Sequence, residues 1–375
     1  MSKIKSSARC FWYEAVAEVG FHNSKSNPGG YGMKQSLKLV STMVLSAFLF
    51  SADASAQTAE KKIVLKLAHG DSVDMTLSRK AVMADVFAKE VKAKSNGRIE
   101  VQVFGAGTLG GERDFVEGVK NGFIQAGFAS GVMANFYPNA MVTDIPYLFP
   151  SEAVADRVMD GPYGQKLSED FLASTGMRNL CFGEVGFRDF TSGKTPIHSP
   201  KDLVGMKIRV QETPLYITEM KALGAQPTPI AFTELYTALQ TGVVDGQENP
   251  IPTVNFAKLY EVQKHVTLDG HNYGVDWFVM NDKFFKSLPS DLQKVVQDAA
   301  THACAEERRV NRVFASDGIK ILKDKGVTVY TPTAPEFAEF KAATQPPVID
   351  WLKTKVDQKW IDGLLAAAKE AEAKK

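Results

Sequence analysis

The sequence predicts an α/β fold of two lobes, built from mixed, mostly parallel sheets covered by helices, with a long helix between the lobes. Three observations support this prediction. The 375 residues are 44% hydrophobic and 23% charged, enough for one large core or two smaller ones. Strand-like and helix-like apolar patterns alternate along the first half. Residues 290–317 contain no Gly or Pro, which permits one long helix.

The first half of the chain predicts the order strand, helix, strand, helix, strand. The strands are "KIVLKLAHG", "RIEVQVF" and "GFIQAGFAS". Helical spacing of Met83, Phe87 and Val91 marks the first helix, and Phe115 and Val119 mark the second. This order is typical of a parallel sheet covered by helices.

Polar residues follow these strands. In parallel sheets, ligands bind beyond the carboxyl ends of the strands. Here those ends are followed by His69, residues 108–112 and Ser130. We therefore expect the first lobe to present these residues to a ligand.

The second half of the chain predicts further alternation. A strand is expected over Lys207–Gln211, after a short helix that begins with Pro200. A later helix stops at Gly242, and we place the polar run Asp245–Asn249 at the end of the next strand. The helix predicted over residues 290–317 would be about 40 Å long and would bridge two lobes that close like a hinge.

Residues 1–56 are predicted to be an N-terminal extension and a cleavable signal peptide. From Met33, the better start, two lysines precede an apolar run from Leu39 to Phe50, and Ala54 and Ala56 give A-x-A spacing. The apolar run is too short to span a bilayer, for which about 20 residues are needed. We expect cleavage after Ala56 and a periplasmic protein.

Charge and motif content exclude several classes of protein. Beyond residue 56 the chain has 38 Lys and Arg against 40 Asp and Glu, so nothing attracts nucleic acid. The histidines lack metal-ligand spacing, and neither a nucleophile elbow nor a phosphate loop is found. We expect no metal, no cofactor and no enzymatic activity. Cys181 and Cys304 could form a disulfide, but two isolated cysteines are more often buried and unpaired.

Three motifs resemble one family. "GFRDFTS", "KIRVQETP" and "GAQPTPIAFTELYTALQTGVVDGQENP" are similar to motifs of the DctP-type solute-binding proteins of tripartite ATP-independent periplasmic (TRAP) transporters. The resemblance covers residues 62–355 and implies a fold like that of type II periplasmic binding proteins. Lobe 1 would be residues 57–185, completed by about 275–314. Lobe 2 would be residues 186–274, completed by about 315–375.

The resemblance implies a carboxylate site. Arg209 would form a two-pronged salt bridge with the carboxylate, Arg188 would be a second cationic contact and Asn249 would also bind it. Phe232 would close over the ligand. Each residue has another interpretation: surface ion pairs for the arginines, a turn before Pro250 for Asn249, and a hydrophobic staple for Phe232.

The first lobe gives weaker indications. Glu112 could accept substrate hydroxyls or only complement a helix dipole. His69 could donate to the ligand or be structural, and Trp277 could line the pocket or belong to the core. Ser130 stands where sialic-acid-binding members have a glutamate, which argues against sialic acid as the ligand.

Together these features predict a monomeric protein that captures a small organic acid anion and delivers it to a TRAP membrane permease. Monocarboxylates, C4-dicarboxylates, hydroxy, oxo, aromatic and sugar acids all offer a carboxylate to Arg209. An enzyme would need a nucleophile or an acid/base pair in the cleft, and the sequence gives no persuasive candidate for either. A sensor would need a signalling domain or a membrane helix, and we find no pattern for either of these.

Overall fold

The computed structural model describes residues 62–374, and the first half follows the predicted alternation of strands and helices. The predicted extension, signal peptide and cleavage site lie outside the described residues. Within residues 62–374, no helix is long and apolar enough to cross a membrane.

One mixed sheet of nine strands runs through the described residues. The strands are β1 (Ile63–His69), β2 (Ile99–Phe104), β3 (Ala126–Ala129), β4 (Met177–Ser192), β5 (Lys207–Val210), β6 (Gln226–Pro229), β7 (Gly246–Asn249), β8 (His265–Asn281) and β9 (Thr328–Tyr330). Their order is β2-β1-β3-β8-β4-β7-β5-β6, and β9 pairs with β8.

The sheet is parallel on both flanks and antiparallel in the middle. β1 pairs in parallel with β2 and β3, and β5 pairs in parallel with β6 and β7. The pairs of β8 with β3 and β4, and of β4 with β7, are antiparallel. The mixed, mostly parallel α/β fold is thus confirmed. The 16-residue β4 and the 17-residue β8 join the two parallel flanks into one sheet.

Helices cover the sheet. They are α1 (Arg79–Lys94), α2 (Glu112–Asn121), α3 (Glu152–Met159), α4 (Pro162–Thr175), α5 (Pro214–Ala222), α6 (Leu235–Gln240), α7 (Ile251–Phe256), α8 (Asp282–Ser287), α9 (Ser290–Asp324), α10 (Ala334–Leu352) and α11 (Gln358–Ala373). Short 3₁₀ helices include Gly131–Asn135, Pro138–Asp144 and Phe232–Glu234.

The long helix is longer than predicted. α9 has 35 residues, about 50 Å, and passes through Gly318. A Cβ at Gly318 would come within 2.6 Å of both Asn255 and Ile251 on α7, so the glycine allows close helix packing. α9 packs against α1 and β4 as well as against α7 and β9. The boundaries of the two lobes stay a prediction.

Two features of the second half differ from the sequence-based expectation. The polar run "GQEN" does not follow a strand but is the whole of β7, and all four residues are buried because β4 and β5 pair with its two edges. The segment "QPTP" forms β6 at the edge of the sheet, where prolines are tolerated because one side of the strand needs no donors.

The cysteines are paired. Cys181 on β4 and Cys304 on α9 form a disulfide with their Cα atoms 6.4 Å apart. The preference for unpaired cysteines was therefore wrong. The two cysteines are 123 positions apart, and nothing local in the sequence indicated that β4 and α9 would lie together.

Candidate functional site

A cavity lies where the parallel strands end. Asp71 follows β1, Ser130 follows β3, Gln211 follows β5, and Asn249 ends β7. The cavity and its opening to solvent together contain about 480 Å³ not occupied by protein atoms. Its lining residues are Asp71, Arg79, Lys80, Glu112, Ser130, Val132, Val185, Arg188, Arg209, Gln211, Glu212, Phe232, Asn249 and Thr253. The position agrees with the rule that ligands bind beyond the carboxyl ends of parallel strands.

Arg209 is a buried cation without an ion-pair partner. Its side chain is 2% exposed, and Nε donates to the carbonyl of Ile230 at 2.9 Å. Among residues 62–374, no carboxylate lies within 4.0 Å of the guanidinium, and its two terminal nitrogens make no hydrogen bond. Burial lowers the pKa of Arg209 to about 10, so the side chain stays charged at neutral pH.

Arg188 lies in the same wall but is already paired. Its Nε and one terminal nitrogen donate to the two carboxylate oxygens of Glu248, the second at 2.9 Å. The same terminal nitrogen also donates to the Glu248 carbonyl at 2.6 Å. Burial alone would lower the pKa of Arg188, but the charge of Glu248 outweighs burial and raises it. The pair is therefore ionised and nearly neutral as a unit.

Glu248 has a second cationic neighbour behind it. The Nε2 atom of His271 lies 3.5 Å from Glu248, and Nδ1 lies 2.9 Å from Asp269. Burial would lower the pKa of His271, but the charge of Asp269 and its hydrogen bonds raise it well above the ordinary value. The charges of Arg188 and His271 outweigh burial and lower the pKa of Glu248. This network holds Glu248 ionised beneath Arg188.

Asn249 and Phe232 both line the cavity. The Asn249 amide donates to Gln247, and its oxygen accepts from Arg188 at 3.2 Å, so the orientation of the amide is fixed. The ring of Phe232 packs edge-on against Phe256 of α7 with centroids 5.9 Å apart. Phe232 therefore lies between the cavity and an apolar cluster that includes α7.

Glu112 and Ser130 meet in the lining of the cavity. Glu112, the first residue of α2, accepts from Lys80 Nζ at 2.7 Å, and from the backbone and hydroxyl of Ser130 at 3.1 and 3.2 Å. The Ser130 hydroxyl also lies 3.0 Å from Oε1 of Gln211. Glu112 is thus both at a helix start and in the cavity, so its position fits both interpretations of its role.

Sequence reasoning missed two buried cations, Arg79 and Lys80. They are 3% and 1% exposed and occupy the first turn of α1. Both contact Asp71 and Asp276. Cations at a helix start are unfavourable beside the helix dipole, and this anomaly was the available indication of a special role.

Gln211 and Thr253 were also missed. Gln211 lies two residues after Arg209, and side chains two apart on a strand share a face. That spacing could have identified Gln211. Thr253 lies on α7, and nothing in the sequence around it indicated proximity to the cavity.

Two predicted site residues lie outside the cavity lining. Trp277 is 1% exposed and packs against Phe171 and Phe182. Successive residues of a strand point to opposite faces of the sheet. Because the preceding residue, Asp276, points toward Arg79, Trp277 points to the other face. His69 is 1% exposed and lies under Gly105, since the chain turns after β1 and brings Asp71 to the cavity instead. These positions fit the core interpretation of Trp277 and the structural interpretation of His69, and contact of either residue with a ligand stays a prediction.

The described part of the chain contains no cluster of metal-binding side chains. Within residues 62–374, no group of three or more His, Cys, Asp or Glu side chains is arranged to hold a metal ion.

Comparison with known proteins defines the class. The family model for bacterial extracellular solute-binding proteins of family 7, DctP, matches residues 72–354. The chain belongs to this family, whose members are solute-binding proteins of transport systems and not enzymes.

Relatives agree over most of the chain. A solute-binding protein of Verminephrobacter eiseniae is 41% identical over 271 residues, covering 72% of this chain and 80% of the relative. The sugar-acid-binding protein of Advenella mimigardefordensis, solved with galactonate, is 35% identical with a TM-score of 0.80, covering 83% and 99%. A TRAP solute-binding protein of Sulfurospirillum deleyianum, solved with succinate, is 29% identical with a TM-score of 0.77, covering 82% and 99%.

Proposed function

We propose that this protein captures a small organic acid through its carboxylate in the periplasm and delivers it to a TRAP membrane permease. The observation that carries this proposal is the buried guanidinium of Arg209, which has no carboxylate partner within residues 62–374 and faces a cavity. A buried charge without a partner is costly, and a carboxylate ligand would supply the missing one.

The geometry of Arg209 suits a carboxylate ligand. The contact from Nε to Ile230 fixes one edge of the Arg209 guanidinium and leaves its two terminal nitrogens for the ligand. A planar fork of two N–H donors matches the two oxygens of a carboxylate. The Asn249 amide and Arg188 border the same space and can add polar contacts.

Closure would strengthen this contact. Cavity residues come from both predicted lobes, so a ligand between them would bind best when the lobes are together. Excluding water lowers the local dielectric constant and strengthens the ion pair with Arg209. The predicted signal peptide and the family relationship support a periplasmic location and a permease partner.

A thermal-shift screen tests the proposal. Purified residues 57–375 would be heated with a library of carboxylic acids, and with neutral sugars and organic cations as controls. We expect at least one carboxylate to raise the melting temperature, because a ligand that binds only the folded state stabilises it. A silent carboxylate library together with a clear response to neutral sugars or cations would refute the proposal.

A further inference from the structure

The two ends of the cavity differ in charge balance. At one end, Arg209 has no ion-pair partner in the described residues, while Arg188 is matched by Glu248. The guanidinium of Arg209 is therefore the cation at this end that has no direct ion pair within residues 62–374 and that one carboxylate would pair with. The other end lies around Lys80 and Arg79.

Lys80 is fully engaged by the protein. Its Nζ atom lies 2.7 Å from Glu112, 3.1 Å from Asp276 and 3.8 Å from Asp71. An ammonium group has three N–H donors. The carbonyl of Phe128 is another acceptor, 3.5 Å from Nζ. The N–H donors of Lys80 therefore have acceptors within the protein and need none from a ligand.

Arg79 is also engaged on every side. Nη1 meets Asp71 at 3.1 Å, Nη2 meets Asp276 at 2.9 Å, and Nε meets Glu307 at 3.1 Å. Two cations at this end thus face four carboxyl groups. Burial raises the pKa of Glu307, which favours its neutral form. Even without Glu307, three carboxylates outnumber the two cations, so this end has no positive charge to offer.

The remaining polar residues of the cavity are Glu212, which is a carboxylate, and the neutral Ser130, Gln211, Asn249 and Thr253. The amide nitrogen of Gln211 and the hydroxyl of Thr253 line the space and make no hydrogen bond to other residues within 62–374. The Ser130 hydroxyl can turn between Glu112 and Gln211. Such donors and acceptors suit hydroxyl groups, which both donate and accept.

We infer that the ligand is a hydroxylated monocarboxylate, with its carboxylate on Arg209 and its hydroxyls toward Gln211, Thr253 and Glu112. A second carboxylate at the Glu112 end would meet excess negative charge and no free cation. This inference rests on the proposed function and narrows it, because the family includes a relative solved with a monocarboxylate and one solved with a dicarboxylate.

Matched ligand pairs test the inference on the wild-type protein. Galactonate and galactarate, and likewise threonate and tartrate, differ only in a terminal CH₂OH that becomes a carboxylate. By calorimetry, we expect at least one of these monocarboxylates to bind, and its dicarboxylate partner to bind at least tenfold more weakly. Equal or tighter binding of the dicarboxylate would overturn the inference.

Other outcomes separate this inference from the proposed function. If only unhydroxylated acids bind, or if they bind as tightly as hydroxylated acids of the same length, the inference fails while carboxylate capture stands. If no carboxylate binds at all, the proposed function fails as well.

A variant locates the source of the discrimination. Glu112→Gln removes one negative charge beside Lys80, so the ratio of the two affinities in each pair should shrink at least threefold. Glu117→Gln makes the same change at an exposed position of the same helix and should leave the ratio unchanged. An unchanged ratio in a folded Glu112→Gln protein, verified by circular dichroism, would contradict the assigned role of this end. Should that variant not fold, the wild-type ligand pairs still decide.

Discussion

Arg188 binds both carboxylate oxygens of Glu248, and both side chains are buried beside the cavity. Removing one partner of such a buried ion pair strongly destabilises the folded protein, because the other charge is left buried and unpaired. The pair therefore supplies a fixed wall for the ligand and little net charge. Arg209, which shares this wall without a carboxylate of its own, provides the attraction for an anion.

Glu112→Gln should weaken ligand binding if Glu112 contacts the ligand. A residue that only complements the dipole of α2 would lower stability by a few tenths of a kcal/mol and leave affinity unchanged. Because Glu112 also contacts Lys80 and Ser130, we expect Glu112→Gln to lower the free energy of unfolding by more than that, about 1–3 kcal/mol. The reason is that Lys80 loses a buried charged partner. Calorimetry and urea unfolding measure the two effects separately. Normal affinity with lowered stability would restrict Glu112 to a structural role.

Asn135→Ala should loosen closure without touching the ligand. The Asn135 amide donates to the carbonyl of Glu212 at 2.7 Å, which links the two predicted lobes, and Asn135 itself does not line the cavity. Losing this bond should weaken ligand binding about fivefold, since one hydrogen bond contributes about 1 kcal/mol. Asn139→Ala removes contacts within the first predicted lobe and is the control.

Solution scattering would detect the same closure. Ligand should reduce the radius of gyration of the wild-type protein without changing its secondary structure. A radius of gyration that is identical with and without ligand would count against a closing cleft.

Removing the disulfide should lower stability and leave binding unchanged. Cys181 and Cys304 line a groove separate from the ligand cavity. The double variant with alanine at both positions should lose about 2–4 kcal/mol of unfolding free energy, because the bond constrains a long loop in the unfolded chain. Urea unfolding with and without reductant checks this. Reductant should destabilise the wild type but not the double variant. Equal unfolding free energies of the two proteins without reductant would contradict the expectation.

His69 should make stability depend on pH between about 6.5 and 4. Burial and the nearby charge of Lys80 lower its pKa to about 4, so in this window the unfolded chain binds a proton that the folded chain does not. The stabilisation is complete above pH 6.5 and is lost as the pH falls toward 4, by about 3 kcal/mol. Urea unfolding of His69→Gln at several pH values should lack this component. Parallel pH profiles for both proteins would contradict it.

Local patterns predicted much of the fold and one side of the site. Strands β1 to β3, helices α1 and α2 and most of α9 follow from apolar periodicity and the absence of Gly and Pro. Arg209 and Asn249 were placed at the cavity by resemblance to family motifs, and they do line it. Their contacts with a ligand stay a prediction.

Features that depend on distant partners could not be predicted. Lys80 is buried because Asp276, 196 positions away, supplies its charge partner, and a lysine on a helix otherwise indicates exposure. The polar strand β7 is buried because β4 and β5 flank it. Apolar periodicity cannot identify a buried strand made of polar residues. In β7 these residues are buried because networks such as the one around Glu248 supply their hydrogen bonds and ion pairs.

Calorimetry of Arg209→Lys tests the central claim most directly. Lysine keeps the charge but loses the two-pronged geometry, so the acid found by screening should bind more than tenfold more weakly, a loss of about 1.5–3 kcal/mol. Arg309→Lys makes the same change on the exposed face of α9, where the side chain is 64% exposed, and should bind like the wild type. Unchanged affinity in Arg209→Lys would show that the carboxylate lies elsewhere and would contradict this account.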